Sequence, residues 1–224
     1  MKYIRTLTVL TDAEIHQNEI PLFRGAVLAS LGEKANLLYH NHTSDTTFRY
    51  AYPLVQYKRI HSKAAIICVE KAVDLIGQYL TTFNAILRLG ERETECRIET
   101  INLNETLVGI SDTLFNYRIC RWLPLNSNNY QTFKCTEGLV ERISMCENIL
   151  KANLLSMLKG LDIFLDDKLI IKMTRLSDSY IIYNKGIGMT AFDAEFMCNL
   201  TIPNHIGVGK NASIGCGVVS RITN

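Results

Sequence analysis

Apolar and polar positions alternate through KYIRTLTVLT (residues 2–11), and six of these ten side chains are β-branched or aromatic, the pattern of a half-buried strand. The period lengthens in EIPLFRGAVLASLG (19–32), where apolar residues recur at helical spacing. There Pro21 suits a first helical turn and Gly32 a C-terminal stop. EKANLLYHNHTSDTT (33–47) is polar and irregular and predicts a loop. FRYAYPLVQYKRI (48–60) and KAAIICVE (63–70) predict two strands. KAVDLIGQYLTTFNAIL (71–87) predicts a helix with Val73, Ile76, Leu80 and Phe83 on one face, and RETECRIETINL (92–103) an exposed edge strand.

This order is β-α-β-β-α-β, the ferredoxin-like arrangement, and it assigns residues 1–107 to a first domain. The pattern then restarts in residues 108–224. TLFNYRICRWLPL (113–125) reads as a strand and TEGLVERISMCENILKANLLSMLKGL (136–161) as a long helix. KLIIKMTRL (168–176), SYIIYNKG (179–186), MTAFDAEFMCNLTIP (189–203) and CGVVSRI (216–222) read as further strands. A strand and a glycine-rich loop stand where the second helix belongs. The expected class is α+β: two tandem ferredoxin-like (RRM-like) domains, the second with a degenerate helix and a C-terminal glycine-rich loop.

Composition is that of an ordinary globular chain, with 47% hydrophobic and 21% charged residues among 224. No stretch approaches the roughly 20 apolar residues of a membrane span, and the N-terminus lacks an apolar run of signal-peptide length. Seven cysteines at irregular spacing form no C-x-x-C pair, which points to small core residues in a reducing, cytoplasmic setting rather than to a zinc site. Net charge is only +2, so local charge matters more. Residues 46–69 hold Arg49, Lys58, Arg59 and Lys63 with no acid, and residues 196–224 hold Lys210 and Arg221 with none. These segments are candidate anion-facing surfaces or ordinary solvated charge.

The loop HIGVGKNASIGCGVV (205–219) concentrates Gly207, Gly209, Gly215 and Gly217 around Lys210 and Ser213. It is not a dinucleotide fingerprint, since the chain ends before the required acid, and it lacks the spacing of a nucleotide-hydrolase phosphate loop. Successive backbone N–H groups in such a loop, with a lysine and a hydroxyl, can hold a phosphodiester; a tight hairpin is the plainer reading. IGVGKNASIGCGVV, closing two tandem ferredoxin-like units, resembles the glycine-rich loop of the CRISPR-associated endoribonucleases of the Cas-six family. FRYAYPLVQYKRI, after a histidine-bearing loop, resembles that family's N-terminal segment.

The resemblance implies cleavage of CRISPR repeat RNA in precursor transcripts to yield guide RNAs. Such metal-independent cutting needs a base for the ribose 2′-OH, an acid for the leaving 5′-oxygen and cations for the phosphate. It leaves a 2′,3′-cyclic phosphate and a 5′-OH and calls for no cofactor or metal. Histidine suits the proton transfers. Among five histidines, His16 and His61 read as turn residues and His205 as part of the glycine loop. His40 and His42 lie two apart in a polar loop, a spacing that also suits metal ligands or plain loop residues. The resemblance makes them the catalytic candidates, with Tyr50 beside them. Arg49, Lys58, Lys63, Gly207, Gly209, Lys210, Ser213, Gly215 and Gly217 are the candidate RNA contacts. The implied partner is CRISPR repeat RNA, with room for other effector-complex proteins, in a monomer or homodimer away from membranes. The alternatives are a non-catalytic module that holds a guide or structured RNA, and a domain pair that binds a small anion.

Overall fold

The computed structural model describes residues 1–31, 52–80 and 85–223. His40, His42, Arg49 and Tyr50 lie outside the described residues. The chain divides into two units. The first comprises Ile4–Thr106 and Ser213–Gly215; the second comprises Met1–Tyr3, Leu107–Ala212 and Cys216–Asn224.

In the first unit the strands are β1 (Lys2–Glu14), β2 (Val55–Ile60), β3 (Lys63–Val69), β4 (Ala85–Leu89), β5 (Arg92–Cys96) and β6 (Ile98–Val108); the helices are α1 (Ile20–Leu31) and α2 (Lys71–Leu80). The sheet order β2-β3-β1-β6 is the ferredoxin order, with β3 antiparallel to both β1 and β2. Central strand β3 is buried from Ala64 to Val69, which accounts for its unbroken apolar run. Ile20, Phe23 and Val27 form the inward stripe of α1 at helical spacing and pack with Leu7, Val9 and Ile66. Each such fully buried aliphatic or aromatic side chain contributes about 1.5–3 kcal/mol relative to exposure. Ahead of α1, the His16 N–H donates to the Glu19 carboxylate at 2.6 Å, closing the turn that starts the helix. Ala85–Leu87, expected at the end of a helix, instead begins β4, which pairs antiparallel with β5 in a separate hairpin. The expected single edge strand over 92–103 is thus two strands, β5 and β6.

The second unit contains β7 (Ile110–Trp122), α3 (Ser127–Cys135), α4 (Leu139–Gly160), β8 (Ile171–Leu176), β9 (Tyr180–Asn184), β10 (Ile187–Leu200) and β11 (Val218–Arg221). Its sheet order, β11-β7-β10-β8, is again the ferredoxin order, with β9 a hairpin partner of β10. Cys146, Leu150, Leu154, Met157 and Leu158 give α4 its buried stripe. No helix joins β10 to β11; residues 201–217 make that connection as a loop, as expected. Helix α3 escapes sequence reading because most of it is polar. Its start is built from asparagine: the Asn126 side chain accepts the N–H groups of Asn128 and Asn129 at 2.9 Å, and Asn129 accepts the Asn126 N–H at 2.6 Å. The N-terminus belongs to this unit through Lys2, whose ammonium donates to Leu161 O at 2.9 Å.

All seven cysteines are free thiols. Burial pushes Cys68 up to about 12 and Cys146 and Cys198 up to about 11, so they behave as small core residues. Among the described residues, no helix is long and apolar enough to cross a membrane.

Candidate functional site

The loop from Asn204 to Gly217 is a ribbon folded back on β11. The His205 N–H donates to Val219 O at 2.8 Å, and the Val219 N–H returns a bond to Ile206 O at 2.9 Å. The Val208 N–H donates to Gly217 O at 2.8 Å, and the Gly217 N–H reaches Arg121 O on β7 at 3.1 Å. Asn204 Oδ1 accepts the Arg221 N–H at 2.8 Å. The ribbon turns over through residues 209–213, where Lys210 stands exposed and makes no ion pair among the described residues.

The glycines approach the protein's own groups. At Gly217, φ is +60° and an added Cβ would lie 1.9 Å from Val208 O, so no side chain fits. At Gly209 the Cβ position is 2.7 Å from Asn153 Oδ1, and that oxygen accepts the indole N–H of Trp122 at 3.0 Å. Helix α4 and the buried Trp122 therefore form the floor beneath the loop. At Gly215, with φ of +82°, an added Cβ would lie 2.5 Å from Ile20 Cδ1 of the same unit. The Tyr57 N–H of β2 donates to Ser213 O at 2.8 Å, and Ile214 bridges Tyr57 in parallel sense. Gly207, Gly215 and Gly217 are buried, Gly209 and Ser213 are half-buried, and Lys210 is exposed. The surface available to a phosphate contracts from the whole glycine run to residues 209–213.

The other cations expected to bind phosphate behave differently. Lys58 is 1% exposed, so its ammonium is not on the surface where an RNA contact was expected. Lys63 donates to both oxygens of Glu99 on β6, at 2.8 and 2.7 Å. Its neighbourhood is acid-free along the chain but not in space, because the sheet brings β6, one strand beyond β1, within reach of its side chain. Arg59 is held by Ile15 O at 2.7 Å and Ser62 Oγ at 2.9 Å. His61 sits, as expected, in the turn between β2 and β3, with φ of +47°.

A cavity of about 290 Å³ opens on the second unit's sheet between Arg118, Cys120, Arg175, Ser177, Asp193 and Glu195. Arg118 pairs with Glu195 at 2.7 Å and Arg175 approaches the same carboxylate at 3.9 Å. Asp193 accepts the Tyr180 hydroxyl at 2.8 Å and the Arg121 N–H at 2.7 Å. Two cations balanced by two carboxylates exert no net pull on an anion. Burial and the carboxylates of Asp193 and Glu195 raise the Cys120 thiol, against a nucleophilic role. The glycine loop is the better candidate site.

Sequence reading missed its supports: Ile20, Tyr57, Trp122 and Asn153. Nothing in the local pattern marks them, because each acts through a neighbour distant in the chain. Trp122, the chain's one tryptophan, was the one available signal.

A family model for the Cas6b N-terminal domain matches residues 2–107 and one for the Cas6b C-terminal domain matches residues 109–222. An uncharacterized protein of Methanocaldococcus jannaschii is 33% identical over 115 residues, covering 51% of this chain and 77% of that protein. A crystal structure of Cas6b superposes with a TM-score of 0.85 at 23% identity, covering 99% of this chain and 100% of that one. A structure described as the CRISPR RNA processing endoribonuclease Cas6b gives 0.76 at 23% identity with the same coverage. At that identity the structural likeness speaks for the fold. The two family models tile nearly the whole chain in order, and the chain belongs to the Cas6b family.

Proposed function

We propose that this protein is the endoribonuclease that cuts CRISPR repeat RNA in precursor transcripts, as the name of its structural relative says of that protein. One observation carries the reading beyond family membership. Ser213–Gly215 of the glycine loop is bonded to β2 and packed on α1, and these two elements bracket residues 32–51, which bear His40 and His42.

One imidazole of the His40–His42 pair takes the 2′-OH proton. The freed oxygen attacks the adjacent phosphorus, and the bond from phosphorus to the 5′-oxygen breaks. The other imidazole gives the leaving oxygen its proton, so the products are a 2′,3′-cyclic phosphate and a 5′-OH. Tyr50 orients the reacting ribose phosphate and Arg49 adds charge to it. Lys210 and the backbone of residues 209–213 hold the RNA backbone.

Cleavage of a synthetic cognate repeat by the purified full chain is expected to persist in excess EDTA, with a single cut and a cyclic-phosphate end detected by mass spectrometry. Activity lost in EDTA and restored by a divalent cation would remove this mechanism. Lys210→Ala is expected to weaken repeat binding and to reduce the slope of log affinity against log salt by about 0.7, one contact's worth for single-stranded RNA. An unchanged slope would take Lys210 out of the interface. Tight binding with no product under any condition would favour a non-catalytic RNA-holding module.

A further inference from the structure

Strand β7 carries a bulge at Cys120 and Arg121. Its pairing with β10 passes from Ile119 opposite Ala194 to Trp122 opposite Phe192, so Asp193 alone stands across from two residues. Arg121 takes up the extra residue with φ of +53°, a left-handed backbone that glycine adopts freely and a residue with a Cβ resists. Asp193 steadies the bulge: its Oδ1 accepts the Arg121 N–H at 2.7 Å and the Tyr180 hydroxyl at 2.8 Å. The Arg121 carbonyl accepts the Gly217 N–H at 3.1 Å, so the stem of the glycine loop is fastened to this residue. Arg121, Tyr180, Asp193, Lys210 and Gly217 all belong to the second unit.

A glycine would meet each of these backbone demands. What arginine adds is a guanidinium, and it forms no hydrogen bond or ion pair among the described residues. Its Nε is buried and still meets no acceptor there. Other arginine nitrogens are met: Arg59 Nε donates to Ile15 O at 2.7 Å, and Arg142 Nε donates to Thr136 O. Leaving a buried donor unmet costs free energy, and a charged donor costs more. Arg121 therefore carries two local costs, in backbone and in side chain, that the fold does not require. Such costs persist where a ligand uses the group, and bulges serve to re-aim side chains at such places. The planar fork of a guanidinium fits phosphate oxygens, and an unpaired cation beside the glycine loop draws an anion.

We infer that Arg121 is a binding residue for a phosphate of the RNA backbone, set by the bulge beside the stem of the glycine loop. Its guanidinium donates through Nε to a phosphate oxygen, in addition to the contact assigned to Lys210 at the loop's exposed turn. This inference rests on the ribonuclease reading above and concerns RNA binding rather than the chemical step.

The test uses the full chain, a synthetic cognate repeat RNA, and the same RNA with a single 2′-deoxy substitution at the mapped cut. Arg121→Gly removes the guanidinium and eases the backbone. Its Tm is expected to lie within about 3 °C of wild type or above it. Its affinity for the 2′-deoxy RNA is expected to fall about 10-fold, and the slope of log affinity against log salt to shrink by about 0.7. Arg121→Asn, a residue that also tolerates left-handed backbone, is expected to show the same two losses. Unchanged affinity and slope would mean that solvent alone meets the guanidinium, and would overturn the assignment. Affinity that falls with an unchanged slope would overturn it too, since no phosphate contact was lost. A large drop in Tm in both variants would make the guanidinium a support of the fold and overturn it as well. A wild-type protein that binds the repeat and never cuts it would sink the ribonuclease reading instead. The unmodified repeat would then serve for the same slope measurement, on which the Arg121 contact stands or falls separately.

Discussion

Replacing His40 and His42 together with alanine is expected to slow single-turnover cleavage of the cognate repeat by at least about 10³-fold and to leave RNA affinity within about two-fold. Internal transesterification needs one proton removed from the 2′-OH and one delivered to the 5′-oxygen. Each positioned acid or base supplies about 10²–10⁴-fold, so losing both removes most of the proton transfer the proposed mechanism relies on. Affinity should survive because phosphate contacts, not imidazoles, supply it. Wild-type rate plotted against pH should be bell-shaped, as one base and one acid acting together require. The measurement is cleavage of end-labelled RNA with enzyme in excess, alongside filter binding of the 2′-deoxy RNA. Cutting at an undiminished rate would place the chemistry on other residues.

Gly217→Ala is expected to destabilise the protein by about 3 kcal/mol, and to lower Tm by roughly 6–12 °C for a chain of this size. Two effects add. A left-handed φ of +60° costs a residue with a Cβ about 1–2 kcal/mol. The new methyl must also displace Val208 O, a backbone atom held by the ribbon's own hydrogen bonds, from a position 1.9 Å away. Backbone cannot rotate aside as a side-chain end can. Gly77→Ala makes the same chemical change in the exposed interior of α2, where nothing lies within 4 Å of the added atom. That variant should stabilise by about 1 kcal/mol through helix propensity. Thermal melts of the two variants against wild type should move in opposite directions. A Gly217→Ala protein as stable as wild type would mean that the ribbon is not packed as described.

The glycine loop shows where sequence reading stops. Its residues are conspicuous, and their place between β10 and β11 follows from the strand pattern. What they approach does not. Gly209 meets Asn153, 56 positions upstream, and Gly215 meets Ile20 from the other end of the chain. A sequence shows that backbone must come close to something; it carries no label for whether that is a ligand or the protein's own interior. Here much of the closeness is internal, and the exposed part of the loop narrows to the tip around Lys210. Lys63 gives the same lesson in charge, since its partner Glu99 lies on a strand that only the sheet order brings near. Helix α3 and strand β4 were missed for local reasons: the one carries few apolar positions, and the other continues the helical spacing of α2 by coincidence of Ile86 and Leu87.

Taken alone, the order of amino acids determined the two ferredoxin-like repeats, the replacement of the last helix by a loop, and the histidine and glycine segments as the places to look. These follow from short-range rules: side-chain period, turn residues and the succession of elements. The tertiary structure decided which glycines are buried, that Lys58 is withdrawn, that Lys63 is already neutralised, and that Ser213–Gly215 sits on β2 and α1. Those outcomes depend on contacts between residues up to about 195 positions apart, which chain folding creates and no local pattern encodes.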